Sequence, residues 1–172
     1  MHAPVFPGLL MRLSPTTSTL KSNGNFSTIV ANTNGSVPDY FVALLYNRVV
    51  GKRVLNATSD DNDVLVYAHC AKNRTGAVTL MYVNPSGSSK VLDISGAGNG
   101  DVGGAKAEAY IFTSHDGSLQ SDTANVNGQK VVLDSAGHPP AIAADERPLP
   151  LSVPAHSYGF VVVGGLGGDA CK

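Results

Sequence analysis

The spacing of apolar residues changes period once along this chain. Over 40–50 it reads Tyr-Phe-Val-Ala-Leu-Leu-Tyr-Asn-Arg-Val-Val, apolar on nearly every face of a helix and broken only by Asn47 and Arg48. Asp39 stands where an N-cap belongs, with Pro38 fixing the entry, and Gly51 stands where a C-cap belongs. A helix apolar all round must be covered from several sides, so the pattern predicts a neighbour beyond a single sandwich. After Gly51 the period shortens to two. It predicts strands over 53–57, 64–70, 77–84, 90–94, 106–114, 124–126, 129–133 and 157–163. In the strand over 106–114, Ala107, Ala109 and Ile111 share one face, and the charged positions point outward.

Turn chemistry separates these segments. Asp60, Asp61, Asn62 and Asp63 form a solvated turn, 72–76 closes a hairpin, 85–89 is a turn and 96–104 is a glycine-rich loop. Asn127-Gly128 is the strongest short hairpin signal. Pro139-Pro140 and 147–150 read as extended connectors. The predicted class is mainly β: an antiparallel β-sandwich preceded by one helix. Residues 1–37 show neither period and are predicted irregular, apart from a short extended piece over 27–30.

Composition narrows the function classes. A formal net charge of −1 over 172 residues gives no field for nucleic acid or an anionic membrane. No apolar run approaches the ~20 residues of a membrane span, and the early apolar patch is too short for a signal peptide. Four N-glycosylation sequons, at Asn25, Asn34, Asn56 and Asn73, nevertheless point to the secretory pathway; the other account is a loop composition rich in Asn, Ser and Thr. The expected location is therefore extracellular or cell wall, with lysosome, vacuole or a membrane-associated site as further compartments. The only two cysteines, Cys70 and Cys171, end a strong strand and the chain itself. A bridge between them would close a loop of about 100 residues, stabilising by ~4–5 kcal/mol; two buried free thiols is the alternative.

Candidate chemistry is thin. Gly98-Asn-Gly-Asp-Val-Gly103 matches a phosphate-binding glycine pattern, but a strand follows where that site needs a helix. The five histidines show no metal-ligand spacing; His69 and Cys70 are neighbours on a strand and face opposite ways. No metal or other cofactor is expected. The only glutamates are Glu108, in a strand, and Glu146, in a predicted loop between Asp145 and Arg147 where local pairing is the simpler account. Neither has a motif around it, although a retaining glycosidase needs two carboxylates about 5–5.5 Å apart in a cleft. Arg48, Lys52 and Arg53 form a basic cluster, either complementing the helix C-terminal dipole or contacting an acidic glycan.

An ordered series of blocks resembles the C-terminal part of the heparanase-like endo-β-glucuronidases, glycoside hydrolase family 79, with a plant flavour. The blocks are the stretch from Pro38 to Leu55, Val66-Tyr-Ala-His-Cys70, Thr79-Leu-Met-Tyr-Val-Asn84, Val126-Asn-Gly128, His138-Pro-Pro-Ala141, Leu151 to Val163, and Ala170-Cys171. The resemblance implies a (β/α)8 barrel carrying two catalytic glutamates, with a β-sandwich beside it, acting on β-glucuronide linkages of acidic polysaccharides or proteoglycans. A barrel takes about 200–250 residues, and 37 precede Pro38, so no catalytic residue carries over. The implied division is an irregular segment over 1–37, a remnant of the last barrel helix over 38–51 and a C-terminal sandwich over 52–172. Cys70 and Cys171 match the bridge of that family. The expected partners are the missing barrel and, through it, the acidic glycan. The alternative is a free-standing acidic-glycan-binding module using Arg48, Lys52 and Arg53.

Overall fold

A computed structural model describes residues 38–95 and 105–172. The expectations for 1–37 (Asn25, Asn34 and the extended piece over 27–30 among them) and for the glycine-rich loop over 96–104 lie outside those residues. Among the described residues one helix, α1 (Pro38–Val49), leads into ten strands: β1 (Val50–Leu55), β2 (Leu65–Ala71), β3 (Val78–Asn84), β4 (Lys90–Leu92), β5 (Lys106–Ser114), β6 (Ala124–Val126), β7 (Gln129–Val131), β8 (Asp145–Pro148), β9 (Leu151–Val153) and β10 (Ser157–Val163). A 3-10 helix, Gly168–Cys171, follows. The antiparallel sandwich preceded by a helix is therefore present.

Two details of the helix differ from expectation. It begins at Pro38, so Asp39 lies inside the first turn rather than capping it. Gly51 is not a C-cap, because α1 runs directly into β1 and Gly51 is its second residue. The sheet satisfies the last helical carbonyls instead: Lys72 Nζ donates to Asn47 O at 2.6 Å, and the Lys72 amide and Thr79 Oγ1 donate to Val49 O at 2.9 and 2.7 Å. Glycine is needed at 51 for another reason. A Cβ there would collide with the carbonyl oxygen of Cys70 on β2.

The main sheet has eight strands in the order β1-β2-β3-β10-β5-β6-β7, with β8 also pairing β5. The β5 edge is divided. Its C-terminal half pairs β6 (Phe112↔Val126), and its N-terminal half pairs β8 (Ala109↔Asp145). Asn127 fills the gap between them. Its Oδ1 accepts from the Ile111 amide at 2.8 Å and its Nδ2 donates to Ala109 O at 2.9 Å, so a side chain supplies the ladder bonds that neither strand makes. Asn127 and Gly128 both have positive φ, 50° and 78°, as a tight hairpin turn demands.

Because side chains alternate, the sheet has two apolar faces. On one, α1 buries Phe41, Leu45 and Val49, spaced by four, against Tyr110, Phe112, Phe160 and Val162. Phe112 and Tyr158 stack at 5.0 Å. On the other face Ala107, Ala109, Ile111, Val161 and Val163 meet Leu92, Leu151 and Val153 of the two-stranded β4–β9 sheet. That second layer makes the sandwich. Asn84, fully buried beneath it, donates to Ser88 O and Pro154 O and accepts from Ser86, so no polar atom of its amide is stranded.

Candidate functional site

The two glutamates are brought together, but not in a cleft. Glu108 and Glu146 are directly opposed in the antiparallel pairing of β5 with β8 and so lie on the same sheet face. Glu146 is in a strand rather than a loop, and Lys106 rather than Arg147 is its partner, at 3.4 Å. Arg147 pairs instead with Asp145, at 2.8 Å, on the opposite face. Glu108 is held by Arg74 of the β2–β3 turn at 2.5 Å. Each carboxylate thus has its own cation, which relieves the repulsion of a like-charged cross-strand pair. Each carboxylate is tied to a cation on the sheet face, outside the kind of cleft in which a glycosidase holds its two carboxylates. A groove of about 380 Å³ lies nearby, lined among others by Asn127, Lys130, Ile142 and Asp145, and it contains neither glutamate.

The basic residues diverge. Arg48 donates to Ile142 O at 2.6 Å and lies 5.8 Å over the Tyr110 ring, pinning the segment before β8 onto α1. Arg53 donates to Ala170 O in the C-terminal 3-10 helix. Lys52 is exposed and makes no hydrogen bond or ion pair among the described residues. Of the sequons within the described residues, Asn56 follows β1 and Asn73 occupies the β2–β3 turn; both are exposed. No group of three His, Cys, Asp or Glu side chains among the described residues could hold a metal.

Cys70 and Cys171 form a disulfide with a Cα–Cα distance of 5.3 Å, 101 residues apart. The bridge is one element of a clasp. The Gly76 amide donates to Cys171 O at 2.9 Å and the Gly167 amide donates to Gly76 O at 3.0 Å, fastening the C-terminal segment to the β2–β3 turn.

The most distinctive surface is apolar. Beside α1, on the face the helix only partly covers, Leu65, Tyr67 and Val83 are 51%, 57% and 38% exposed, and Val54 of β1 is 69% exposed. Leu65 and Val83 are directly paired, as are Tyr67 and the half-buried Met81. Tyr40, Val42, Leu44 and Tyr46 of α1 are also only partly buried. Scattered apolar residues on a surface are ordinary, whereas a contiguous group on one sheet face beside an apolar helix marks a contact. The unbroken run Val64-Leu-Val-Tyr-Ala-His-Cys was its signal in the sequence, since a strand with one wet face alternates.

Comparison with known proteins gives this surface a context. No family model matches the chain. Baicalin-β-D-glucuronidase of Scutellaria baicalensis is 33% identical over 146 residues, covering 83% of this chain and 26% of that protein. Heparanase of Gallus gallus is 33% identical over 149 residues, covering 78% of this chain and 27% of that protein. The chain belongs with the heparanase-like glycoside hydrolases, as a counterpart of their C-terminal region. Hyaluronoglucuronidase of the leech Hirudo nipponia is 29% identical over 161 residues, with 87% of this chain and 32% of that protein covered. The heparanase-like chain spans about a quarter to a third of the length of these relatives. Among solved structures, a GH30 endoxylanase from Clostridium papyrosolvens C71 aligns over 64% of this chain and 23% of that chain at 10% identity. Its TM-score of 0.34 is too low to carry an argument. No helix among the described residues is long and apolar enough to cross a membrane.

Proposed function

We propose that this chain is the sandwich portion of a heparanase-like hydrolase of β-glucuronide linkages in acidic polysaccharides or proteoglycans, and that it is catalytically silent alone. In this reading 38–51 is the last helix of a (β/α)8 barrel, 52–172 is the sandwich, and the protein works outside the cell, in the cell wall, or in a lysosomal or vacuolar compartment. The observation that carries it is the apolar surface of Leu65, Tyr67, Val83 and the outer face of α1. Such a surface suits contact with a second body, and the relatives named glucuronidase and heparanase are three to four times longer than the matched region. The two glutamates support the claim of silence, because each is held by its own cation and neither lines the groove. The test is an assay of the purified chain on an aryl β-glucuronide. No turnover is expected, and turnover abolished by Glu108→Gln would refute the proposal.

A free-standing acidic-glycan-binding module is the second reading, and Lys52 is the observation that favours it, since its ammonium is unengaged among the described residues. Arg48 and Arg53 weaken it, because both spend donors on backbone carbonyls in different parts of the molecule. Salt-dependent retention on an anionic polysaccharide column, lost in Lys52→Ala, would establish it.

A further inference from the structure

We propose that Asn56 and Asn73 carry N-linked glycans that bracket the open edge of the main sheet. The proposal rests on the secretory reading above and adds what that reading leaves open: which sequons the fold tolerates, and what the sugars do there.

A glycan persists on a folded protein only where the asparagine amide points into solvent and is not needed for internal bonding. Asn56 and Asn73 are exposed, and among the described residues neither side chain makes a hydrogen bond. Asn73 lies exposed in the β2–β3 turn, with a φ of 57°. A third tripeptide supplies the contrast. Asn84-Pro85-Ser86 would be a sequon but for its central proline, which blocks the modification. Asn84 is the asparagine that could not tolerate it, being fully buried, with its amide donating to Ser88 O and Pro154 O. Proline stands where a sugar would be incompatible with the fold, and acceptor sequons stand where it would be harmless.

Among the described residues β1 is the outermost strand of the sheet, paired on one side only, and its Val54 is 69% exposed. Such an edge invites strand addition by another chain unless something blocks it. Asn56 directly follows the last residue of β1. Asn73 lies beside its first residue, where the turn residue Lys72 donates to Val49 O. One bulky, hydrated group at each end hinders a foreign strand from sliding into register. In the covalent step, the asparagine Nδ2 forms a bond to the anomeric carbon of a lipid-linked oligosaccharide. The polyprenyl diphosphate leaves, and the amide gives up one proton to the transferring enzyme.

The test expresses the full chain behind a cleavable secretory leader in eukaryotic cells. Tryptic peptides are mapped after enzymatic deglycosylation in heavy-oxygen water, which marks each released asparagine as labelled aspartate. Label is expected at 56 and 73, and each of Asn56→Gln and Asn73→Gln should lose one oligosaccharide from the intact mass. Disulfide-linked protein without sugar at either position would overturn this inference alone. Protein without sugar and with reactive thiols at Cys70 and Cys171 would overturn the secretory reading with it. Pro85→Ala should gain a sugar at Asn84 and lose secretion, while the same substitution combined with Ser86→Ala should be secreted; a secreted, disulfide-linked Pro85→Ala protein glycosylated at Asn84 would refute the burial argument. The double variant Asn56→Gln/Asn73→Gln should self-associate as concentration rises, and one that stays monomeric would refute the edge role.

Discussion

Replacing Asn127 tests whether one side chain holds the divided edge of β5 together. Its amide makes three hydrogen bonds, accepting from the Ile111 amide at 2.8 Å and donating to Ala109 O at 2.9 Å and Ala143 O at 3.2 Å. At a net ~1 kcal/mol each, the first two, which are part-buried, amount to about 2 kcal/mol, and the exposed third adds less. The backbone adds its own term. Asn127 sits at φ 50°, a left-handed conformation that costs an alanine about 1 kcal/mol more. Asn127→Ala should therefore destabilise by about 3–4 kcal/mol, enough to unfold a marginal domain. Asn127→Gly removes the same bonds but tolerates the turn, so it should recover the backbone part. Asn127→Asp keeps the acceptor and loses both donors, turning a carboxylate toward two carbonyl oxygens, and should be at least as damaging as alanine at neutral pH. Urea unfolding followed by far-ultraviolet circular dichroism gives each difference. Native-state hydrogen exchange locates it, since the Ile111 amide should lose protection first. An alanine variant within 1 kcal/mol of wild type, with Ile111 still protected, would refute the reasoning.

The remaining predictions probe the clasp, the sheet and the helix. Cys171→Ser opens a loop closed over 101 residues, and chain entropy sets the loss at about 4–5 kcal/mol; a thermal midpoint insensitive to both this change and reductant would contradict it. Gly159→Ala places a Cβ against the Tyr110 carbonyl in the middle of the β10–β5 pairing, and no soluble folded protein is expected, as size-exclusion chromatography would show. Asp39 governs a pH response: burial raises its carboxyl above the ordinary value, so the folded state binds the proton more tightly than the unfolded state does. Stability from this group is greatest at low pH and falls as pH rises through the raised folded value, the reverse of the hydrogen-bonded Asp116 and Asp134, whose lowered carboxyls lose stability as pH falls. Asp39→Asn should raise the thermal midpoint at neutral pH and flatten its dependence over the window just above the ordinary carboxylate value; an unchanged slope would contradict the assignment. Nearby, the Tyr158 hydroxyl is pushed up to about 12, by burial first and by the Asp39 charge second, so Asp39→Asn should also lower its spectrophotometric titration midpoint.

Element by element, legibility followed the strength of the local pattern. The strands at 106–114, 124–126 and 157–163 lie where alternation and turn residues put them, and Asn127-Gly128 turns the chain as its chemistry requires. Prolines hid β8 and β9. The segment Arg-Pro-Leu-Pro reads as a connector because proline gives no amide to a ladder, yet Pro148 closes an edge strand that needs none on its outer side. Gly51 misled for a related reason. A glycine after an apolar helix signals a cap, and only the path of β2 shows that the missing Cβ makes room for Cys70 O instead.

The site was less legible than the fold, because its meaning lies in which face each residue shares with which neighbour. A basic trio close in sequence separates once α1 gives way to β1: Arg48 reaches back across the helix side to Ile142, and Arg53 reaches to the C-terminal clasp. Two glutamates distant in sequence become direct cross-strand partners. What did survive from sequence to structure is the helix apolar on all sides. The sheet buries only its Phe41, Leu45 and Val49 stripe, leaving Tyr40, Val42, Leu44 and Tyr46 half covered next to Leu65, Tyr67 and Val83. Burying those outer residues would remove apolar area on both the helix and the sheet at once, at roughly 25 cal/mol per Å². A face for an acidic glycan would instead present cations, and the side chains named here are aliphatic or tyrosine, with no charge among them. The chemistry of the surface therefore favours a protein partner over a sugar, which ranks the enzyme-portion reading above the free-standing module.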